Sequence, residues 1–272
     1  MTASNRIPIL GIMVAQNSDD SVYWQLVSFA TSHEDVVLMR AFAGTAPGYF
    51  VDVGAADPVL ANVVKNLSEH LGWTGVHIEP DEHFADRLEA AYPGDHVLRS
   101  VVGAAEGTAE FFDVDDGWLS TANAELAGRY AAEGRTVVPR TAAVTTLDAV
   151  LRAVGAPTPI DVLKIDVEGA EADVLAGLSF DVWRPRVVVV DATVPLHGTA
   201  TADFDDLARL GYRRTLFDGC NAFYVAPEES GELAEALSVP ANVFDQYAPM
   251  IWFLQLDEDQ RPPVRLAPRS LM

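Results

Sequence analysis

Hydrophobic positions along the chain gather into short, nearly continuous runs: "GYFVDVG", "TGVHIEP", "DHVLRSVVG", "IDVLKIDVEG" and "PRVVVVDATVP". Between them lie stretches with helical spacing of apolar residues, such as "DEHFADRLEAAY" and "TTLDAVLRAVG". Runs apolar on both faces, Val187 to Val190 above all, suit parallel strands covered by helices on either side. The alternation predicts an α/β fold: a Rossmann-like doubly wound, mostly parallel sheet with helices on both faces and right-handed crossovers. Ligands of such sheets sit beyond the carboxyl ends of the strands. After Val190, "FDDLARLGYRRTLFDGCNAFYVAPEE" reads as a helix and two runs joined by the turn-rich "DGCN", a C-terminal antiparallel hairpin. The expected organisation is an N-terminal helical extension or lid over residues 1–46 and a core over 47–228. Residues 229–272 form a C-terminal extension packing on that core, and "DEDQRPPVRLAPRS" is a disordered tail on composition.

Composition narrows the partners. With 272 residues, 49% of them hydrophobic, the chain can bury a full core. Eighteen Lys plus Arg against forty Asp plus Glu give a formal net charge of -22, which repels nucleic-acid backbones and anionic lipid surfaces. The single Cys220 rules out an internal disulfide and a cysteine-based zinc site. No secretory signal is read in "MTASNRIPILGIMVAQNSDD", and no apolar stretch approaches the roughly 20 residues of a membrane span. The expectation is a soluble, cytoplasmic protein with a small-molecule substrate.

The first predicted strand ends as "YFVDVGAADP", residues 49–58. Gly54 permits a backbone conformation other residues pay for, and Ala55 with Ala56 leaves room for a ligand across the strand end. A dinucleotide fold wants G-x-G-x-x-G opening into a helix. Here the second and third glycines are missing, and Asp57 puts a negative charge where a pyrophosphate would lie. Acids near the turn, Asp52 and Asp57, suit a ligand carrying an ammonium and a sulfonium, S-adenosylmethionine; Asn62 joins them as a cofactor candidate. Glu79, closing "GVHIEP", stands at the interval at which an acid meets ribose hydroxyls, or else caps the helix beginning around Asp81. Ser100 and Val101, at the end of "HVLRSVVG", are placed by topology at the adenine edge.

Further blocks are "LKIDVEGAE", "RPRVVVVDATVP", "GWTGVHIEP", "FDGCNAFYVAPE", "SHEDVVLMRAF", the "LST" of Leu119 to Thr121, and "PANVFDQY". Together with "FVDVGAADP" they resemble the FkbM family of S-adenosylmethionine-dependent methyltransferases from about Phe29 to Tyr247. The resemblance implies methyl transfer to a hydroxyl oxygen of a secondary metabolite, a sugar or polyketide ring, as in antibiotic biosynthesis. Departures from the family pattern are Asp191-Ala-Thr where "EAT" is usual, Cys220 where an apolar residue precedes Asn221, and a loose "SFATSHED" block. Two other readings stay open: an NAD-dependent oxidoreductase of related fold, which the missing glycines disfavour, and a non-catalytic nucleoside- or partner-binding relative.

Methylation of a hydroxyl needs the oxygen aligned and its proton removed. A divalent cation such as Mg2+ lowers the hydroxyl pKa, or a side chain acts as base. Asp166, Glu168 and Asp191 sit at neighbouring predicted strand ends, where Asp166 and Asp191 supply oxygen ligands to a hard cation and Glu168 contacts substrate. The plainer reading has Asp166 and Glu168 binding backbone amides at the next helix. His197 in "VPLHG" is a candidate base alongside Asp166, with His33 a further loop histidine. Lys164, one of two lysines, shares a pleat face with Asp166 and forms either a functional contact or a structural ion pair. Asp218 and Asn221 are substrate candidates on the hairpin turn, though turn chemistry also explains them. The aromatic-rich ends, "SVYWQLVSFA" and "FDQYAPMIWFLQL", read as core packing, a homodimer contact or an apolar acceptor wall.

Overall fold

The computed structural model describes residues 26–193, 204–229 and 231–252. Two units are distinguished by their internal contacts: Phe29–Ala241, and a second drawn from the two ends of the chain. In the second unit β1 (Leu26–Ser28) runs parallel to Tyr247–Pro249, and Asn242 and Asp245 form a capping box on the short 3-10 turn Val243–Asp245. The proposed disordered tail lies outside the described residues.

The large unit is a mixed α/β fold. Its strands are β2 (Tyr49–Val53), β3 (Thr74–Ile78), β4 (His96–Leu98), β5 (Val101–Val102), β6 (Gly107–Val114), β7 (Val137–Thr145), β8 (Val162–Ile165), β9 (Val187–Asp191), β10 (Arg213–Phe217) and β11 (Asn221–Val225). Seven form one sheet, ordered β10-β11-β9-β8-β2-β3-β4. From β9 to β4 every pairing is parallel, while β11 runs antiparallel to both β9 and β10. The β10–β11 turn is shaped by Asp218, whose Oδ1 accepts from Cys220 N and Asn221 N at 2.8 and 2.7 Å.

Alternate residues of these strands feed two cores, because successive side chains point to opposite faces. On one face Val51, Val53, Ile78, Leu163 and Val190 pack with α5 (Leu147–Val154), α6 (Glu171–Ala176), α7 (Phe180–Trp183) and α8 (Asp205–Arg209). On the other Phe50, Val162, Val189 and Phe223 pack with α1 (Glu34–Phe42), α2 (Lys65–Leu71) and α9 (Gly231–Ala236). Val187 to Val190 are fully buried, each worth roughly 1.5–3 kcal/mol of hydrophobic stabilisation. Helix starts follow capping chemistry: Asp81 accepts from His83 N and Phe84 N ahead of α3 (Glu82–Ala91), and Thr146 caps α5.

The run "HVLRSVVG", read as one strand, is two. His96–Leu98 extends the main sheet beside β3, whereas Val101–Val102 leaves it and pairs with β7. Burial of Val101 with Phe111 and Ala142 draws the second half away, and Ser100 Oγ, bonded to Val101 O and Ala143 O, holds the change of sheet. The resulting three-stranded sheet, β5-β7-β6, includes a long antiparallel β6–β7 pair that encloses α4 (Ala124–Ala132).

Candidate active-site cleft

Beyond the carboxyl ends of β2, β3 and β8 lies a cleft of about 290 Å³. Its floor is the turn after β2. Gly54 has φ +74, and a Cβ there would lie 1.8 Å from the carbonyl oxygen of Asp166. Glycine lets the exits of β2 and β8 touch. Gly54 N and Ala55 N both donate to Ile78 O, at 2.9 and 3.3 Å, fastening the turn to β3.

Glu79 leaves β3 directly beside this turn. Its Oε2 accepts from Ala56 N and its Oε1 from Asp81 N, each at 2.8 Å. Burial pushes the carboxyl up to about 7; the two amide bonds partly offset this, and the Asp81 charge adds to it. Of the cofactor candidates, Gly54, Ala55, Glu79, Ser100 and Val101 line the cleft together. Asp52 lies beneath it, buried in the sheet. Asp57 and Asn62 are buried in the loop that follows and do not line the cleft. Asp57 accepts from Val59 N and Leu60 N and pairs with Arg87. Asn62 accepts from Val64 N and Lys65 N at the start of α2 and donates to Asp57 O.

The opposite edge is the exit of β8, where Asp166 and Glu168 both line the cleft. Glu168 has φ 56, a left-handed conformation costly for a non-glycine residue. Thr121 Oγ1 donates to its carbonyl at 2.7 Å, and Tyr130 OH donates to Oε2 at 3.4 Å. Burial, then the charges of Asp166 and Asp191, push its carboxyl up to about 8. Glu171 Oε1 accepts from Val167 N and Gly169 N, closing the loop into α6.

Asp191 ends β9 with its Oδ1 accepting from Thr193 N and Thr193 Oγ1; burial and then the Asp166 charge raise its carboxyl. Among the described residues no group of three or more His, Cys, Asp or Glu is placed to hold a metal ion. Asn221 and Asp218 stand outside the cleft lining: Asn221 Nδ2 donates to Glu34 Oε1 at 2.5 Å, and Asp218 shapes its own turn. Burial pushes Glu34 up to about 8, and burial lowers the His33 imidazole against the pull of Asp218. His197 lies outside the described residues.

A third wall comes from residues that the sequence marked only through the "LST" block, not as site candidates. Phe111 of β6 and Trp118, Leu119 and Ser120 of the loop after it face the cleft. The signal was present: "GTAEFFDV" and "TVVPRTAAVT" each carry β-rich character in a separated pair.

Comparison with curated proteins returned no match, and comparison with solved structures returned none either. A family model does match: the methyltransferase FkbM domain, over residues 52–214, more than half of the chain. That span opens at Asp52 of the glycine turn and runs through Glu79, the small sheet and the β8 exit, the elements that build the cleft. The chain belongs to the FkbM methyltransferase family.

Proposed function

We propose that the protein is an S-adenosylmethionine-dependent O-methyltransferase acting on a hydroxyl of a small secondary metabolite, on a Rossmann-like doubly wound scaffold. The observation that carries this reading is the order of groups along the strand ends. Ser100 and Val101 follow β4, Glu79 follows β3, Gly54 and Ala55 follow β2, and Asp166 follows β8, all on one cleft. An adenosyl ligand laid along that line meets a carboxylate at its ribose and the small-residue turn Gly54–Ala56 at its amino-acid tail. When bound it supplies a methyl carbon activated by a sulfonium.

The chain's own task is then to bind, orient and deprotonate. Asp166, part-exposed at the cleft edge, accepts the proton of the acceptor hydroxyl. Phe111, Trp118 and Leu119 give the acceptor an apolar wall that excludes water. No step is assigned to a cation.

Calorimetric titration with S-adenosylmethionine, S-adenosylhomocysteine and NAD, each with and without magnesium, tests the reading. Both adenosyl ligands are expected to bind and NAD not to, with Glu79→Ala weakening them about tenfold or more, the worth of one hydrogen bond to a charged group. Binding of NAD alone, or of no ligand, overturns it.

A further inference from the structure

Lys164 occupies the middle of a parallel sheet, where a strand is ordinarily apolar on both faces. Its neighbours across the sheet are Asp52 on β2 and Val189 on β9. It is 6% exposed, and taking an ammonium so far from water costs several kcal/mol unless its donors are answered. They are answered at the cleft. Nζ donates to Gly54 O at 2.7 Å and stands 3.4 Å from Asp52 Oδ1 and 3.8 Å from Asp166 Oδ2. Among the described residues lining the cleft it is the one basic side chain.

What lies beneath explains how the charge is tolerated. Asp52 faces His77 on β3, with Oδ2 3.6 Å from Nδ1, and His77 Nε2 lies 3.2 Å from Asp95 Oδ2. Lys164, Asp52, His77 and Asp95 thus form a chain in which basic and acidic side chains alternate. Burial alone would lower the Lys164 pKa, but the Asp52 and Asp166 charges outweigh it and leave it raised. Asp52 is held ionised in turn: burial raises its carboxyl, and Lys164 with His77 more than reverses that.

The bond to Gly54 O answers one donor of the buried ammonium and at the same time fixes the turn after β2 against the β8 exit. We propose that Lys164 is a positioning residue that ties the β2 exit, through Gly54 O, to the β8 exit, through Asp166, and so forms the seat for the amino-acid tail of the adenosyl ligand. The inference rests on the cofactor reading above. It separates two halves of that ligand: Glu79 and Ser100 serve the nucleoside, and the Lys164 tie serves the tail.

The test compares S-adenosylhomocysteine with 5′-methylthioadenosine, which keeps the nucleoside and sulfur but lacks the tail. Lys164→Met alone leaves the buried Asp52 with His77 as its remaining charge partner, so the informative variant is Asp52→Asn with Lys164→Met, which removes both members of the Lys164–Asp52 pair. Thermal unfolding is expected within a few degrees of the parent, with S-adenosylhomocysteine at least tenfold weaker and 5′-methylthioadenosine changed less than threefold. Lys164→Arg, tested in parallel, keeps Asp52 neutralised, but its planar fork does not reproduce a point donor to Gly54 O. It should fold and lose tail-dependent affinity severalfold. Unchanged S-adenosylhomocysteine affinity in either folded variant overturns the proposal, as does equal weakening of both ligands. If the parent protein binds neither ligand, the cofactor reading falls and the inference with it; if the parent binds both, only the variants decide.

Discussion

Gly54 has little freedom to change. Its φ of +74 lies where an L side chain is strained, and a Cβ would collide with Asp166 O at 1.8 Å. Gly54→Ala is expected to destabilise the protein by about 1 kcal/mol or more through conformation alone. Pushing the β8 exit away adds to that, so the melting temperature and adenosylhomocysteine binding should fall together. Glu168 carries a different liability. Its carboxyl titrates at about 8 in the fold against an ordinary 4.5. Between those values the folded state holds a proton that the unfolded chain has released, so stability falls as pH rises through the window. Glu168→Gln removes the dependence: little change in melting temperature near pH 4.5, and a gain of a few degrees at pH 8.5, by scanning calorimetry. An equal shift at both pH values would mean that the carboxyl is already ionised in the fold.

Among the elements, α5 and α7 are joined through one side chain. Asp148 of α5 accepts from Ser179 N at 2.8 Å, Ser179 Oγ at 2.6 Å and Trp183 Nε1 at 3.0 Å. Asp148→Ala leaves the Trp183 indole, a buried residue, without that acceptor, at about 1–3 kcal/mol. The loss should appear in urea unfolding while ligand affinity stays unchanged, since neither helix lines the cleft. This scale also shows what the sequence made legible. The unbroken Val187 to Val190 of β9 was readable as a buried strand because both faces of the sheet demand apolar residues there. The acid of "GVHIEP" and the glycine of "FVDVGAADP" were readable because strand ends in such sheets receive ligands. The departure of Val101–Val102 to another sheet was not, because Arg99 and Ser100 interrupt the run without a glycine or proline to mark a break. Nor was the position of Asp57 and Asn62, since an acid and an amide that shape a loop have the same letters as those that touch a ligand.

Over the whole molecule the formal charge is -22, and several carboxyls sit close enough to one another to raise their own pKa values, among them Glu168 and Asp191 around Asp166. Self-repulsion of this size opposes compaction and is screened by salt. The melting temperature should therefore rise by several degrees between about 20 mM and 300 mM sodium chloride at pH 7.5. A flat or falling response would place the opposing charges too far apart to matter.

The hydrogen bond from Thr121 to the carbonyl of Glu168 joins the loop of the small sheet to the strained residue at the β8 exit. Its consequence concerns how such an enzyme diversifies. On the proposed function, the acceptor wall belongs to the loop after β6 in the small sheet and the donor turn to the large sheet, so the one can vary while the other is kept. A replacement segment that brings a hydroxyl to the same spot keeps the Glu168 carbonyl satisfied; one that does not is expected to let the left-handed bend shift. Chimeras that swap the segment but keep a threonine there should stay folded with altered acceptor choice; those without it inherit the new wall and lose the old geometry.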